Sequence, residues 1–166
     1  MNYVTGDIFV KVPSPQTLKA WLPLWDCISI LFLFQNSDVA DGEDELPEWR
    51  IYWVAGLALL RTVGHVLAKV DAKISPEHAE AIAALWKGFQ DDRSKSAIFW
   101  TFIDRERNNL LKTYSFGAKL AWDDNQDAYV EFEGGLDAFD RFREAVYWWR
   151  HHLMALEHEL LVPTCD

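Results

Sequence analysis

The stretch from Ser96 to Gly117, SAIFWTFIDRERNNLLKTYSFG, carries the clearest helical signature in the chain. Ile98, Phe99, Phe102, Ile103, Leu110 and Leu111 recur at helical spacing, which predicts one apolar face. The other face is assigned Asp104, Arg105, Glu106, Arg107, Asn108, Asn109 and Lys112, with Gly117 as the stop. A helix this apolar on one side folds only if other elements cover that side.

Four further segments supply the cover. A first helix is expected from about Pro15 to Phe34, with Ser14 as N-cap and Pro23 as a kink or restart. Its end, CISILFLF, is almost wholly apolar, which predicts burial on several sides or contact with a partner subunit. Leu46-Pro47-Glu48 opens a long helix to about Lys73, whose stripe is Trp49, Tyr52, Trp53, Leu57, Leu60, Val63 and Leu67. Gly56 and Gly64, eight apart near that stripe, allow a close helix approach. Ser75-Pro76 opens a helix to about Gln90, with Ala79, Ile82, Ala83, Trp86 and Phe89 inward. The last helix, about Leu136 to Leu161, has Phe139, Phe142, Val146, Trp149, Leu153, Leu156 and Leu160 as its stripe, and Pro163 stops it.

Between these helices, Tyr3–Val12 alternates like a short strand or extended arm. Gln35–Glu48 is acidic and loop-like, without the Asp-x-Asp-x-Asp-Gly spacing of a calcium loop. Lys119–Trp122 and Tyr129–Glu133 alternate around a turn-rich centre, a β-hairpin near residues 119–133. The expected fold is mainly α, an up-and-down bundle of about five helices with that hairpin, in a single domain over residues 1–166.

Composition narrows the function classes. The net charge of −10 repels nucleic acid at long range, which argues against DNA binding and leaves RNA only a local basic cleft. Cys27 and Cys165 lie in no CxxC pair; they read as reduced thiols, with a single long-range disulfide as the alternative. The start of the chain lacks the pattern of a signal peptide, and CISILFLF is too short to span a bilayer, so a soluble, cytoplasmic protein is expected.

No motif calls for a cofactor. GxSxG, P-loop and GxGxxG patterns are missing. His151, His152 and His158 read as surface or edge histidines, and His151 and His158 share a face at a spacing of seven, unlike a metal-ligand pair. His65, near the apolar face of its helix, reads as a satisfied core histidine, and His78 as exposed. The nine Trp and ten Phe are mostly core, with a remainder for a dimer surface.

That leaves Arg107, Asn108, Lys112 and Tyr114. By spacing, Arg107 and Tyr114 project to one side, and Asn108 neighbours Lys112. A guanidinium and an ammonium on one helix edge suit a phosphate. The simpler reading is a solvated helix face with Arg107 paired to Asp104.

Arg107-Asn108-x-Leu110-Leu111-Lys112-x-Tyr114, followed by Ser-Phe-Gly, resembles the Arg-Asn-x-x-x-His-x-Tyr motif of the HEPN superfamily. The resemblance implies an all-α bundle, usually dimeric, in which the motif lies on a late core helix. It also implies metal-independent RNase chemistry, or a relative of toxin–antitoxin and defence proteins whose paired motifs meet across the dimer. Arg107 would then stabilise a phosphate in the transition state, and Asn108 would be its polar neighbour. Tyr114 would match the tyrosine that a partner nucleotidyltransferase modifies in some members. Lys112 departs from the pattern, standing where the family has its catalytic histidine, and an ordinary lysine is a poor base at neutral pH. The resemblance therefore implies RNA or phosphate binding more directly than cleavage, and a degenerate, non-catalytic member fits it. Two other readings remain open: a structural or protein–protein interaction module with no nucleic-acid role, and a small-molecule pocket in the aromatic core.

Overall fold

The computed structural model describes residues 16–37, 48–115 and 117–161. The expected arm at Tyr3–Val12, the Ser14-Pro15 opening, most of the acidic loop, Leu46-Pro47, Pro163 and Cys165 lie outside those residues.

Among the described residues the fold is a mainly α bundle of five helices with a small antiparallel sheet. Helix α1 spans Trp21–Asn36, α2 Glu48–Lys69 and α3 Pro76–Asp91, with a 3₁₀ turn at Asp71–Lys73 between the last two. A π-wound segment, Phe99–Asp104, runs directly into α4, Arg105–Thr113. Strands β1 (Lys119–Trp122), β2 (Ala128–Phe132) and β3 (Leu136–Asp137) follow, and α5, Ala138–Leu161, closes the described chain.

The long helices obey their periodicity. Trp49, Trp53, Leu57, Leu60, Val63 and Leu67 of α2 are buried, as are Phe142, Val146, Trp149, Leu153 and Leu156 of α5. The two glycines of α2 sit where α5 crosses closely. A Cβ on Gly56 would lie 2.4 Å from Phe142 Cε2, and one on Gly64 would lie 3.0 Å from rings of both Trp149 and Trp86. The aromatic core has two foci. Trp53 meets Phe34, Phe102, Phe132 and Phe142, and Trp86 meets Phe89, Phe99 and Trp149.

Helix α3 turns Ile82 and Phe89 inward as expected, with Trp86 packed against the core, and departs from expectation only at its alanines. Ala81, Ile82 and Phe89 are buried, whereas Ala79 and Ala83 are exposed. An alanine methyl is too small to set the rotation of a helix; the two larger apolar side chains do so. Its start is as expected: Ser75 Oγ accepts from the His78 N–H at 3.3 Å, with Pro76 at the first helical position. His78 is half-buried rather than exposed.

Helix α1 begins at Trp21, which puts Pro23 in the first turn and leaves it no kink to make. A residue there has no intrahelical N–H partner, so proline costs nothing. The amides just ahead of the helix are held by two fully buried carboxylates from distant parts of the chain. Glu157 of α5 accepts from Thr17 N (2.7 Å), Thr17 Oγ1 (2.7 Å), Leu18 N (2.9 Å) and Trp21 Nε1 (3.0 Å). Asp71 accepts from Lys19 N (2.8 Å) and Ala20 N (2.9 Å). Burial raises the Asp71 carboxyl above its ordinary range, and these two amides oppose that rise.

The sheet has one more strand than the expected hairpin. β1 and β2 pair antiparallel with Lys119 opposite Glu131, and Asp123 Oδ1 organises the turn by accepting from Asn125 N (2.8 Å) and Asp127 N (2.9 Å). The Gly134-Gly135 turn then returns the chain as β3 beside β2 before α5 starts at Ala138. Val130 and Phe132 of β2 are buried, which seats the sheet on the core beside Trp53 and Phe102.

Candidate functional site

The motif residues lie on α4, whose orientation depends on the π turn before it. Phe99, Phe102 and Ile103 face the core through that turn, and Leu110 continues the stripe. Leu111 does not: it is 65 % exposed, on the side shared with Asp104 and Arg107 at helical spacing. Glu106, assigned by its charge to the outer face, is fully buried. It lies three residues after Ile103 and four before Leu110, so helical spacing points it inward. Its carboxylate is satisfied there by the Gly117 N–H at 2.7 Å, the Asn109 amide at 3.4 Å and Arg105 Nε at 3.6 Å.

The helix ends at Tyr114 rather than at Gly117. Tyr114 has φ 50° and ψ 38°, and its N–H reaches Leu110 O at 3.0 Å. Gly117 serves close packing, since a Cβ there would lie 2.9 Å from both Glu133 Cγ and Phe132 Cε2.

Beside α4, helix α2 presents Ala58, Arg61, Thr62 and His65 to a groove of about 400 Å³, completed by Arg107, Leu110 and Leu111. His65 is exposed in this groove rather than satisfied in the core. The expected Arg107–Asp104 pair is replaced by a relay. Arg61 Nε donates to Asp104 Oδ1 at 3.1 Å, Asn108 Nδ2 donates to Asp104 Oδ2 at 3.1 Å, and Arg107 Nη1 donates to Asn108 Oδ1 at 3.0 Å. One carboxylate thus anchors two guanidiniums, one of them through an amide. Arg61 and Asp104 keep 31 % and 29 % of their side-chain surface, so the pair is neither fully solvated nor buried.

Of the four motif residues, the groove takes Arg107 directly, and Asn108 holds it from behind. Lys112 and Tyr114 are on the exposed last turn, outside the groove lining. Arg61 and His65 were absent from the motif, although their i,i+4 spacing beside Ala58 and Thr62 marks a polar face on α2. Among the described residues no group of three or more His, Cys, Asp or Glu side chains could hold a metal ion.

Among the described residues one helical stretch, Glu48–Lys73, is long and apolar enough by length and composition to cross a membrane. Its most apolar positions, Trp53, Leu57, Leu60, Val63 and Leu67, have no exposure within the bundle, as in a core helix.

The class defined by this geometry is a mainly α bundle with a cationic groove between two of its helices. No protein-family model, curated protein or solved structure matches the chain.

Proposed function

We propose that this chain is a HEPN-like cytoplasmic protein that pairs with a second copy and binds RNA phosphate at the Arg107 face of α4, in a toxin–antitoxin or defence setting. The observation that carries this reading is the buttressed Arg107 guanidinium, which lines one groove with the guanidinium of Arg61. Two fixed guanidiniums in one concavity suit the fork geometry of phosphate recognition.

The position of Lys112 favours binding over cleavage. It is exposed on the last turn, outside the groove that Arg107 lines. A degenerate member follows. Where cleavage persists, it proceeds without metal, by attack of the 2′-hydroxyl on its own phosphodiester. Tyr114, 68 % exposed, is accessible to a modifying nucleotidyltransferase.

Self-association draws support from α2. Ile51, Ala58, Thr62 and His65 recur along its exposed face, and Leu111 of α4 adds apolar surface beside the groove.

The test compares wild type and Arg107→Ala in solution mass, RNA binding, and RNA cleavage in EDTA. A wild-type dimer that binds RNA, with binding lost in a folded, dimeric Arg107→Ala, supports the proposal. A strict monomer at high concentration, or equal RNA binding by both proteins, sinks it. A second reading, a protein–protein interaction module, is favoured by the net charge of −10 together with exposed Phe32 and Leu33 on α1. On that reading Arg107→Ala changes nothing.

A further inference from the structure

The relay around Asp104 leaves an imbalance of charge and of hydrogen bonds. In a helix face that is merely solvated, each arginine is neutralised by a neighbouring carboxylate or by water. Here one carboxylate serves Arg61 directly and Arg107 through Asn108. Asp104 uses Nε of Arg61, and Asn108 uses Nη1 of Arg107. Among the described residues, the other guanidinium donors of both side chains have no protein acceptor. They border a groove whose ionisable lining, among the described residues, is Arg61, His65 and Arg107, without a carboxylate. Leu110 and Ala58 line it as well, and apolar walls strengthen the field of fixed charges.

In a chain with a net charge of −10, such a concentration of donors points to an anion. A volume of about 400 Å³ is within the range of small-molecule sites and exceeds what a bare phosphate fills. We infer that the groove between α2 and α4 is a phosphoryl-binding site in which Arg61 and Arg107 grip the phosphoryl oxygens and His65 supplies a third donor. This inference rests on the phosphate-binding reading above but assigns half of the site to α2, which the motif does not reach. A nucleotide and an RNA backbone both present the required group.

The test uses the isotopically labelled full chain and amide chemical-shift titrations with inorganic phosphate, adenosine 5′-monophosphate and a short oligoribonucleotide. Wild type is compared with Arg61→Gln, His65→Gln, Arg107→Gln and Lys112→Gln, each first checked for native circular dichroism. The expected result is saturable binding of at least one probe, with shifts in residues 58–65 and 107–111. Affinity falls about tenfold or more in Arg61→Gln and Arg107→Gln and about threefold in His65→Gln, while Lys112→Gln stays within about twofold. A mononucleotide bound as tightly as the oligoribonucleotide identifies the ligand as a nucleotide; much tighter binding of the strand identifies RNA. If Arg61→Gln and His65→Gln bind like wild type while Arg107→Gln and Lys112→Gln do not, the groove assignment fails and the motif reading stands. If Arg107→Gln also binds like wild type, or if no probe saturates, both fail.

Discussion

Replacing Gly56 by alanine tests the close crossing of α2 and α5, and Gly64 and Gly88 serve as internal controls. Alanine in a helix interior is favoured over glycine by about 1 kcal/mol, so with free space each substitution would stabilise the protein. At Gly56 there is no space. The new methyl would lie 2.4 Å from Cε2 and 2.7 Å from Cζ of Phe142, a ring only 1 % exposed. Phe142 is backed by Trp53 at a centroid distance of 6.4 Å, so it cannot simply swing aside. Overpacking of this kind costs about 1–3 kcal/mol, and the severity of the contact selects the upper end. Set against the propensity gain, the net loss is about 2 kcal/mol, or a melting temperature lower by about 4–8 °C for a chain of this size. At Gly64 the contacts are 3.0 Å, and the two effects nearly cancel. At Gly88 nothing lies within 4 Å of the added methyl, so Gly88→Ala gains about 0.5–1 kcal/mol. The assay is thermal and urea unfolding of all four proteins, with an unchanged denaturant slope as the sign that two-state behaviour holds. The expected order of stability is Gly88→Ala, wild type, Gly64→Ala, Gly56→Ala. A Gly56→Ala protein as stable as wild type would refute the close-crossing argument.

Three other outcomes are expected. Glu157→Leu strands buried donors of Thr17, Leu18 and Trp21 and costs about 3–5 kcal/mol; urea unfolding measures the loss, and hydrogen exchange at the Leu18 amide should accelerate first. Burial, with His151 beside it, lowers the His152 imidazole from 6.5 to about 4. The unfolded chain therefore takes up the proton first, and this contribution to stability is lost as pH falls from 6.5 towards 4. The shift corresponds to about 2 kcal/mol between roughly pH 7 and pH 5, reduced to about 1 kcal/mol by partial solvent access. His152 packs edge-on against Phe89 at 4.8 Å and Trp148 at 4.5 Å, and His152→Phe should flatten the pH dependence of urea unfolding by that amount. Asp104→Asn separates positioning from bulk charge in the groove. Loss of a negative charge alone would tighten phosphate binding, whereas release of Arg61 from its 3.1 Å anchor should weaken it several-fold. Tighter binding in the titration would show that Asp104 does not position Arg61.

The legible parts of this protein are those set by residues close together in the chain. The stripes of α2 and α5, the Ser75-Pro76 cap and the Asp123-centred turn are local patterns, and each appears in the fold where its spacing places it. Gly56 and Gly64 marked a close approach, although the spacing did not name Phe142 and Trp149 as what approaches. Two positions misled for different reasons. Glu106 was assigned outward by its charge and His65 inward by its nearness to the apolar stripe, but helix geometry turns Glu106 inward, where the Gly117 amide meets it, and turns His65 outward into the groove. Part of the site was visible too, since Arg107 and Asn108 stand together in the motif. Their meeting with Arg61 depends on how α2 lies against α4 and on the π turn that aims Asp104. The clamp on α1 is the extreme case. Thr17 and Glu157 are 140 positions apart, and a carboxylate is buried only when its donors arrive in three dimensions. Periodicity and turn chemistry act over a few residues and can be read along the chain, whereas the pairing of buried charges is settled by packing.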